Sequence, residues 1–248
     1  MDYGDEFPSA PVRYTFDDSD DELDPDLPTS DKLTLTLSHE LPDQPVKLII
    51  GLHAGRSYLN AVEGTHIGTI EKKDPNKKAS EVANIVLCNN SIYLAVPHVD
   101  ATLANEYARV VLDAFGARLQ QVILLDSYIN SEYTSKEWGV QDEPPFIRLL
   151  QTSSTKKISG ILPYESPNLV KDLAAAIIAK CEIHGIPCYA LFSLQESLLG
   201  KHIVTADTCT AYATALENLG FQLSLDENKL YDILTKGGVD EHHHRLYL

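Results

Sequence analysis

No apolar run in the 248 residues approaches the roughly 20 that a bilayer-crossing helix requires, and the first residues are acidic where a secretory leader would have a basic start and an apolar stretch. The chain is therefore expected in the cytoplasm, with the nucleus as a further location and no membrane partner. Cysteine is sparse. Cys88, Cys181, Cys188 and Cys209 show no Cys-x-x-Cys spacing and sit inside apolar stretches, which suits buried reduced thiols better than disulfides or zinc. The Asn89-Asn90-Ser91 sequon is then silent. Basic clusters are missing as well, so nothing is present to neutralise a run of phosphates and nucleic acid is an unexpected partner. A GxxxxGK[ST] phosphate loop is absent, since Gly51-Leu52-His53-Ala54-Gly55-Arg56-Ser57 has too few glycines and no lysine before its serine. No GxSxG elbow marks a serine as nucleophile. Missing motifs argue only weakly against catalysis, because many active sites carry no local signature.

What is present is first of all a lopsided charge. The net charge is −16, and residues 1–31 hold eleven acidic side chains against one arginine. With Pro8, Pro11, Pro25 and Pro28 and few clustered apolar residues, this arm cannot offset its ordering entropy and is expected to be disordered. Ser19, within Asp18-Ser19-Asp20-Asp21-Glu22, resembles an acidophilic kinase site; the plain alternative is an exposed serine in a solvated acidic run. With 44% hydrophobic residues, the remainder is large enough to bury a substantial core, and one domain over residues 32–238 fits better than two.

Leu33, Leu35 and Leu37 alternate with Thr34 and Thr36, the period of a half-buried strand. Val46 to Leu52 reads as a strand buried on both faces, ending in a tight turn bounded by Gly51 and Gly55. Strands are predicted at Ala83–Leu87 and Ile92–Val96 around an Asn89-Asn90 turn, with a loop over residues 72–78. From Asp100 a helical stripe (Leu103, Tyr107, Val110, Val111, Ala114) runs to a stop at Gly116, and a buried strand follows at Val122–Leu125. Strand, helix and strand at this spacing form a crossover unit on a sheet. Residues 126–145 read as a long loop. Asn168 is the expected cap of a helix carrying Leu169, Leu173, Ile177 and Cys181 in one row, ended by Gly185 and Pro187, with His184 as a polar cap to its final turn. A buried strand at Cys188–Phe192 and helices at Asp207–Leu219 and Asp226–Leu234 complete the domain. No internal repeat is present. The predicted fold class is α/β, a mixed sheet flanked by helices in three layers.

Residues 239–248 form a polar tether that ends in Leu246-Tyr247-Leu248. An unpacked end of this kind offers an apolar side chain, a phenol and a carboxylate, the groups that C-terminal capture pockets recognise. Within the tether, Glu241 with His242-His243-His244 is better read as a solvated tract than as a metal site, because consecutive side chains point in different directions. No metal or cofactor is expected.

The stretch Pro144-Pro145-Phe146-Ile147-Arg148-Leu149-Leu150, the run Leu162-Pro163-Tyr164-Glu165-Ser166-Pro167-Asn168 with the alanine-rich helix after it, Gly185-Ile186-Pro187 and Tyr189-Ala190-Leu191-Phe192 together resemble the proteasome assembly chaperone 1 family. The resemblance covers roughly residues 121–215. It implies a non-enzymatic chaperone that forms a heterodimer with proteasome assembly chaperone 2 and carries nascent α-rings of the 20S proteasome, on an α/β sandwich reminiscent of nucleoside phosphorylases. The terminal tripeptide resembles the hydrophobic-Tyr-X tails of proteasome activators and assembly chaperones. That likeness implies that Leu246 enters an apolar pocket, Tyr247 hydrogen-bonds at its rim and the Leu248 carboxylate meets a lysine between adjacent α-subunits.

Two other readings stay open. One is a phosphorylase-like enzyme acting on a nucleoside-type small ligand, for which His53, Arg56 and Ser57 at a strand end are the first residues to test. The other is an adaptor whose acidic arm attracts a basic partner in a salt-sensitive way.

Overall fold

Alternation along the central strands decides the architecture. In Leu48-Ile49-Ile50, Val122-Ile123-Leu124-Leu125 and Cys188-Tyr189-Ala190-Leu191-Phe192, every side chain is buried, and successive residues enter two different apolar clusters. A strand with both faces dry needs a layer on each side. The computed structural model describes residues 32–39, 41–42, 44–73, 83–135, 143–198, 201–202 and 204–235. Among these, eight strands form one mixed sheet in the order β1 (Lys32–Leu37), β3 (Thr65–Lys73), β4 (Ala83–Cys88), β5 (Ser91–Ala95), β2 (Val46–Gly51), β6 (Leu119–Ile129), β8 (Cys188–Gln195) and β7 (Phe146–Gln151). The central four, β5, β2, β6 and β8, are mutually parallel, and the flanking pairs are antiparallel. A two-residue ladder, β9 (Ser197–Leu198) with β10 (Lys201–His202), follows β8.

Among the described residues, five α-helices cover the sheet. Helices α2 (Ala104–Phe115) and α3 (Asp172–Ile183) bury Val111, Phe115, Leu173 and Ile177 on the face that receives Leu48, Leu124 and Phe192. Helices α1 (His53–Asn60), α4 (Ala206–Asn218) and α5 (Glu227–Thr235) cover the other, with Tyr58, Tyr212 and Leu216 against Ile49, Ile123 and Leu191. The result is the three-layer α/β arrangement expected from the strand and helix periods. Each buried aliphatic or aromatic side chain contributes about 1.5–3 kcal/mol relative to exposure, so the two clusters dominate stability.

Several predicted elements stand where the periods placed them. Asn89 and Asn90 both adopt positive φ, 46° and 62°, in a two-residue turn that closes the β4–β5 hairpin with Cys88 opposite Ser91. Gly116, at φ 45°, ends α2, and Gly185, at φ 64°, follows α3. His184 occupies the C-cap of α3, its backbone N–H donating to the Lys180 carbonyl.

Others are corrected. The turn expected between Gly51 and Gly55 is the first turn of α1, with Gly55 inside the helix. Residues 126–129, expected in a loop, continue β6 for a full turn of pleat beyond Leu125. Asn168 does not cap α3. Lys171 is the N-cap residue, while Asn168 takes the Thr134 N–H on Oδ1 at 2.8 Å and donates Nδ2 to the Thr134 carbonyl at 2.8 Å. Leu169 accordingly leaves the buried row and is 75% exposed. β3 and β7 carry no clean alternation and went unpredicted.

Candidate functional site

The tripeptide Leu246-Tyr247-Leu248, Ser19 and the tract His242-His243-His244 all lie outside the described residues. His53, Arg56 and Ser57 are described, and the structure places them on the first turn and a half of α1, directly after β2.

This corner is tightly built. Leu52 N–H donates to the Leu125 carbonyl at 2.8 Å, tying the end of β2 to β6. α1 then lies so close to β6 that a Cβ on Gly55 would sit 2.3 Å from the Leu125 carbonyl oxygen, and one on Gly51 would sit 2.4 Å from the Gly55 carbonyl oxygen. Glycine at both positions is a steric requirement. His53 makes the sharp entry into the helix at φ 44°, in a region that non-glycine residues occupy at a cost, and such outliers concentrate at functional sites.

Its imidazole reaches across the strand end to Asp126, with Nδ1 2.7 Å from Oδ1. The Asp126 side chain is 3% exposed and that of His53 44%, so a buried carboxylate holds a half-exposed imidazole. Asp126 Oδ1 also accepts the Ser127 N–H at 2.8 Å. Ser127 Oγ accepts the Ala54 N–H at 3.3 Å, and the Tyr212 hydroxyl donates to the Asp126 carbonyl at 2.6 Å. β6 therefore changes from wholly apolar at residues 122–125 to wholly polar at 126–127. On β8, one strand over, the apolar run 188–192 gives way to Ser193, opposite Ser127, and to Gln195, with the buried Leu194 between them. Asp126, Ser127, Ser193 and Gln195, with Thr208 on α4, account for most of the buried polar residues among those described. They gather at the carboxyl ends of the parallel strands, where the chain leaves β2 towards β3 on one side of the sheet and leaves β6 towards β7 on the other, the kind of place where open α/β sheets carry their ligand crevices.

Beside this corner, on the α2–α3 face, Tyr128, Tyr133, Tyr164, Phe146 and Phe192 form a ring cluster with centroid separations of 4.7–6.3 Å. The Arg148 guanidinium lies 4.5 Å over the Phe146 ring. A cleft of about 210 Å³ opens on the cluster, with Leu169, Lys171 and Glu132 at its rim. Burial, and then the Asp126 carboxylate, push the Tyr128 phenol well above its ordinary range, and burial raises Tyr164 to about 12. These phenols remain donors across the physiological range.

Asp126 escaped the sequence reading. Its signal is a lone carboxylate at the end of a dry strand, legible only once that strand is known to be parallel and central. Ser57, the third residue named at this corner, is half-buried and forms no part of the His53–Asp126 network.

Comparison with known proteins adds a family. The family model named PAC1 and described as proteasome assembly chaperone 4 matches residues 62–248. The chain is 30% identical over 102 residues to a protein of Dictyostelium discoideum named proteasome assembly chaperone 1, a stretch covering 41% of this chain and 37% of that one. It is 24% identical over 121 residues to the Danio rerio protein of the same name, covering 49% and 43% respectively. The matched stretches thus span less than half the length of these relatives. Among solved structures, Pyrococcus furiosus PbaA, described as an archaeal homolog of proteasome-assembly chaperone, superposes with a TM-score of 0.61 at 14% identity, over 83% of this chain and 93% of its own. Pyrococcus furiosus PbaB, described as an archaeal proteasome activator, gives 0.56 at 14% identity, over 83% and 96%. At these identities the two structures share the fold.

Proposed function

The chain belongs to the PAC1 family of proteasome assembly chaperones, and from that membership we propose that it is a non-enzymatic chaperone for assembly of the 20S proteasome. It pairs with proteasome assembly chaperone 2 in the cytoplasm, and the heterodimer binds the α-ring. The observation that carries this reading is the extent of the family match, which runs from residue 62 to the terminal tripeptide. The hydrophobic-Tyr-X chemistry of Leu246-Tyr247-Leu248 supports a tail that docks between α-subunits.

The mechanism is occupancy. With the tail seated in an inter-subunit pocket, a regulator's similar tail is shut out, and the folded body covers the ring face against off-pathway association. Tail and body joined in one chain raise each other's effective concentration, which gives a tripeptide of weak intrinsic affinity a useful residence on the ring.

The test uses purified full-length chain co-expressed with chaperone 2 and presented to recombinant α-subunits. Removal of Leu246 to Leu248 is expected to weaken ring binding tenfold or more, the loss of roughly 1.4 kcal/mol, while the heterodimer elutes unchanged in size-exclusion chromatography. Equal loss of pairing and ring binding contradicts the division of labour between body and tail.

A further inference from the structure

Both ends of the sheet are strands with a single neighbour, β7 on one side and β1 on the other, and they are finished differently. At β7 the outward backbone is covered: Leu149 donates its N–H to the Leu162 carbonyl and accepts the Tyr164 N–H, each at 2.8 Å. At β1 no such cover is present among the described residues. Ser38 N–H donates to the Ile67 carbonyl at 2.8 Å, which sets the hydrogen-bonding phase of the β1–β3 ladder. Thr36 opposite Thr69 and Thr34 opposite Glu71 turn their backbone groups towards β3, and Leu33, Leu35 and Leu37 turn theirs away. The N–H and C=O groups of these three leucines line the outer edge of β1. Native edges are commonly spoiled by a proline, a charged side chain, a bulge or a covering segment. Leu33 to Leu37 holds neither proline nor charge, and its register with β3 runs without a shift.

The sequence of this edge, Leu33-Thr34-Leu35-Thr36-Leu37, reads the same in both directions. When two copies meet antiparallel about a two-fold axis at Leu35, Leu33 of one stands opposite Leu37 of the other, Leu35 opposite Leu35, and Thr34 opposite Thr36. The outward-turned leucines are then the hydrogen-bonded residues of the new ladder in both copies at once, so donors meet acceptors along its length. Side chains match as well. Leu33 is buried, while Leu35 and Leu37 are half-buried against the larger apolar cluster, and a facing leucine row takes their exposed remainder out of water. On the opposite face the threonines form cross-strand pairs. Charge selects the direction. Residues 1–31, with eleven acidic side chains against one arginine, join β1 at Lys32. A parallel pairing brings two such attachments to one end of the seam, and the antiparallel pairing separates them by the length of the strand, about 17 Å.

We propose that two copies of the chain associate through β1, antiparallel about Leu35, joining their sheets edge to edge. A single strand pair buries less than the roughly 1,600 Å² of a standard interface, so the association is weak and concentration-dependent. It is a property of the chain by itself, independent of the proteasome reading; neither stands or falls with the other.

The test is sedimentation equilibrium of the purified full-length chain, with residue-resolved amide hydrogen exchange on the same samples. A monomer–dimer equilibrium is expected with a dissociation constant on the order of 10–100 μM. The Leu33, Leu35 and Leu37 amides are expected to exchange more slowly as concentration rises through that range, while the Thr34 and Thr36 amides, already bonded to β3, change less. Two double variants test the register. Thr34→Lys/Thr36→Lys sets like charges opposite each other across the two-fold and is expected to weaken association about fivefold or more. Thr34→Lys/Thr36→Glu sets opposite charges there in both copies and is expected to associate at least as tightly as the unmodified chain. In both, the new lysine at position 34 also faces Glu71 within its own chain, which favours the fold of the single copy. A chain that stays monomeric across the range overturns the proposal, as does a dimer on which the two double variants act alike. Because the unmodified chain reports through its leucine amides, a variant that fails to fold does not protect the proposal: a dimer in which those amides exchange no more slowly also overturns it.

Discussion

At the scale of single residues, Asp126 is the side chain on which the carboxyl-end corner depends. It is buried, it accepts from Ser127 N–H, and it anchors His53. Replacing it by alanine leaves a buried N–H without an acceptor, and Asp126→Ala is expected to lower the unfolding free energy by about 1–3 kcal/mol in urea denaturation. His53→Ala, at a half-exposed position, is expected to cost less; the reverse ranking contradicts the assigned geometry. Tyrosines supply a second residue-scale expectation. Burial, with the nearby Tyr133, Asp126 and Glu132 adding to it, lifts the Tyr164 phenol from 10.0 to about 12, and burial drives Tyr128, Tyr58 and Tyr212 upward as well. For a group whose folded value is raised, the folded chain holds the proton that the unfolded chain has released, so stability is intact below pH 10 and falls as pH rises from 10 towards 12. Equilibrium denaturation across that window, alongside phenolate absorbance, checks the sign. Stability that is flat or rising there is incompatible with buried, protonated rings.

Elements carry the next set of constraints. α1 reaches β6 only because Gly55 lacks a Cβ, so Gly55→Ala is expected to destabilise by about 1–3 kcal/mol through overpacking and to shift the His53 resonances with it. Thr205 caps α4 reciprocally with Thr208, and Thr205→Ala is expected to cost about 1 kcal/mol in the same denaturation assay. These elements also mark how far the sequence could be read. Strong periods gave β2, α2, β8, α4 and α5 within a residue or two at most boundaries, because apolar spacing there coincides with the face that is buried. β3 and β7 hid because Thr65–Lys73 mixes exposed and buried positions without a regular period and Phe146–Gln151 is half-buried or buried throughout, with no alternation. Asn168 misled for a different reason. Its amide is a good helix cap in isolation, yet the two backbone bonds it makes to Thr134 satisfy it better. The corner of His53, Arg56 and Asp126 was half legible: the strand end was visible at Gly51, but the partner carboxylate is 73 residues away in the chain, and only sheet order brings the two together.

Across the whole molecule, one dry mixed sheet with helices on both faces presents its polar chemistry at the carboxyl ends of the parallel strands. The family assignment rests on residues 62–248. The acidic arm and the terminal tripeptide flank the described residues, and the tripeptide is the part of the chain to which the resemblance gives a specific partner chemistry. The most direct measurement is affinity capture from cell extract of the full-length chain and of a version lacking Leu246 to Leu248, with co-purifying proteins identified by mass spectrometry. The account predicts that both versions recover proteasome assembly chaperone 2 and that α-ring subunits come down mainly with the intact tail. Recovery of neither chaperone 2 nor α-ring subunits with the full-length chain would contradict it.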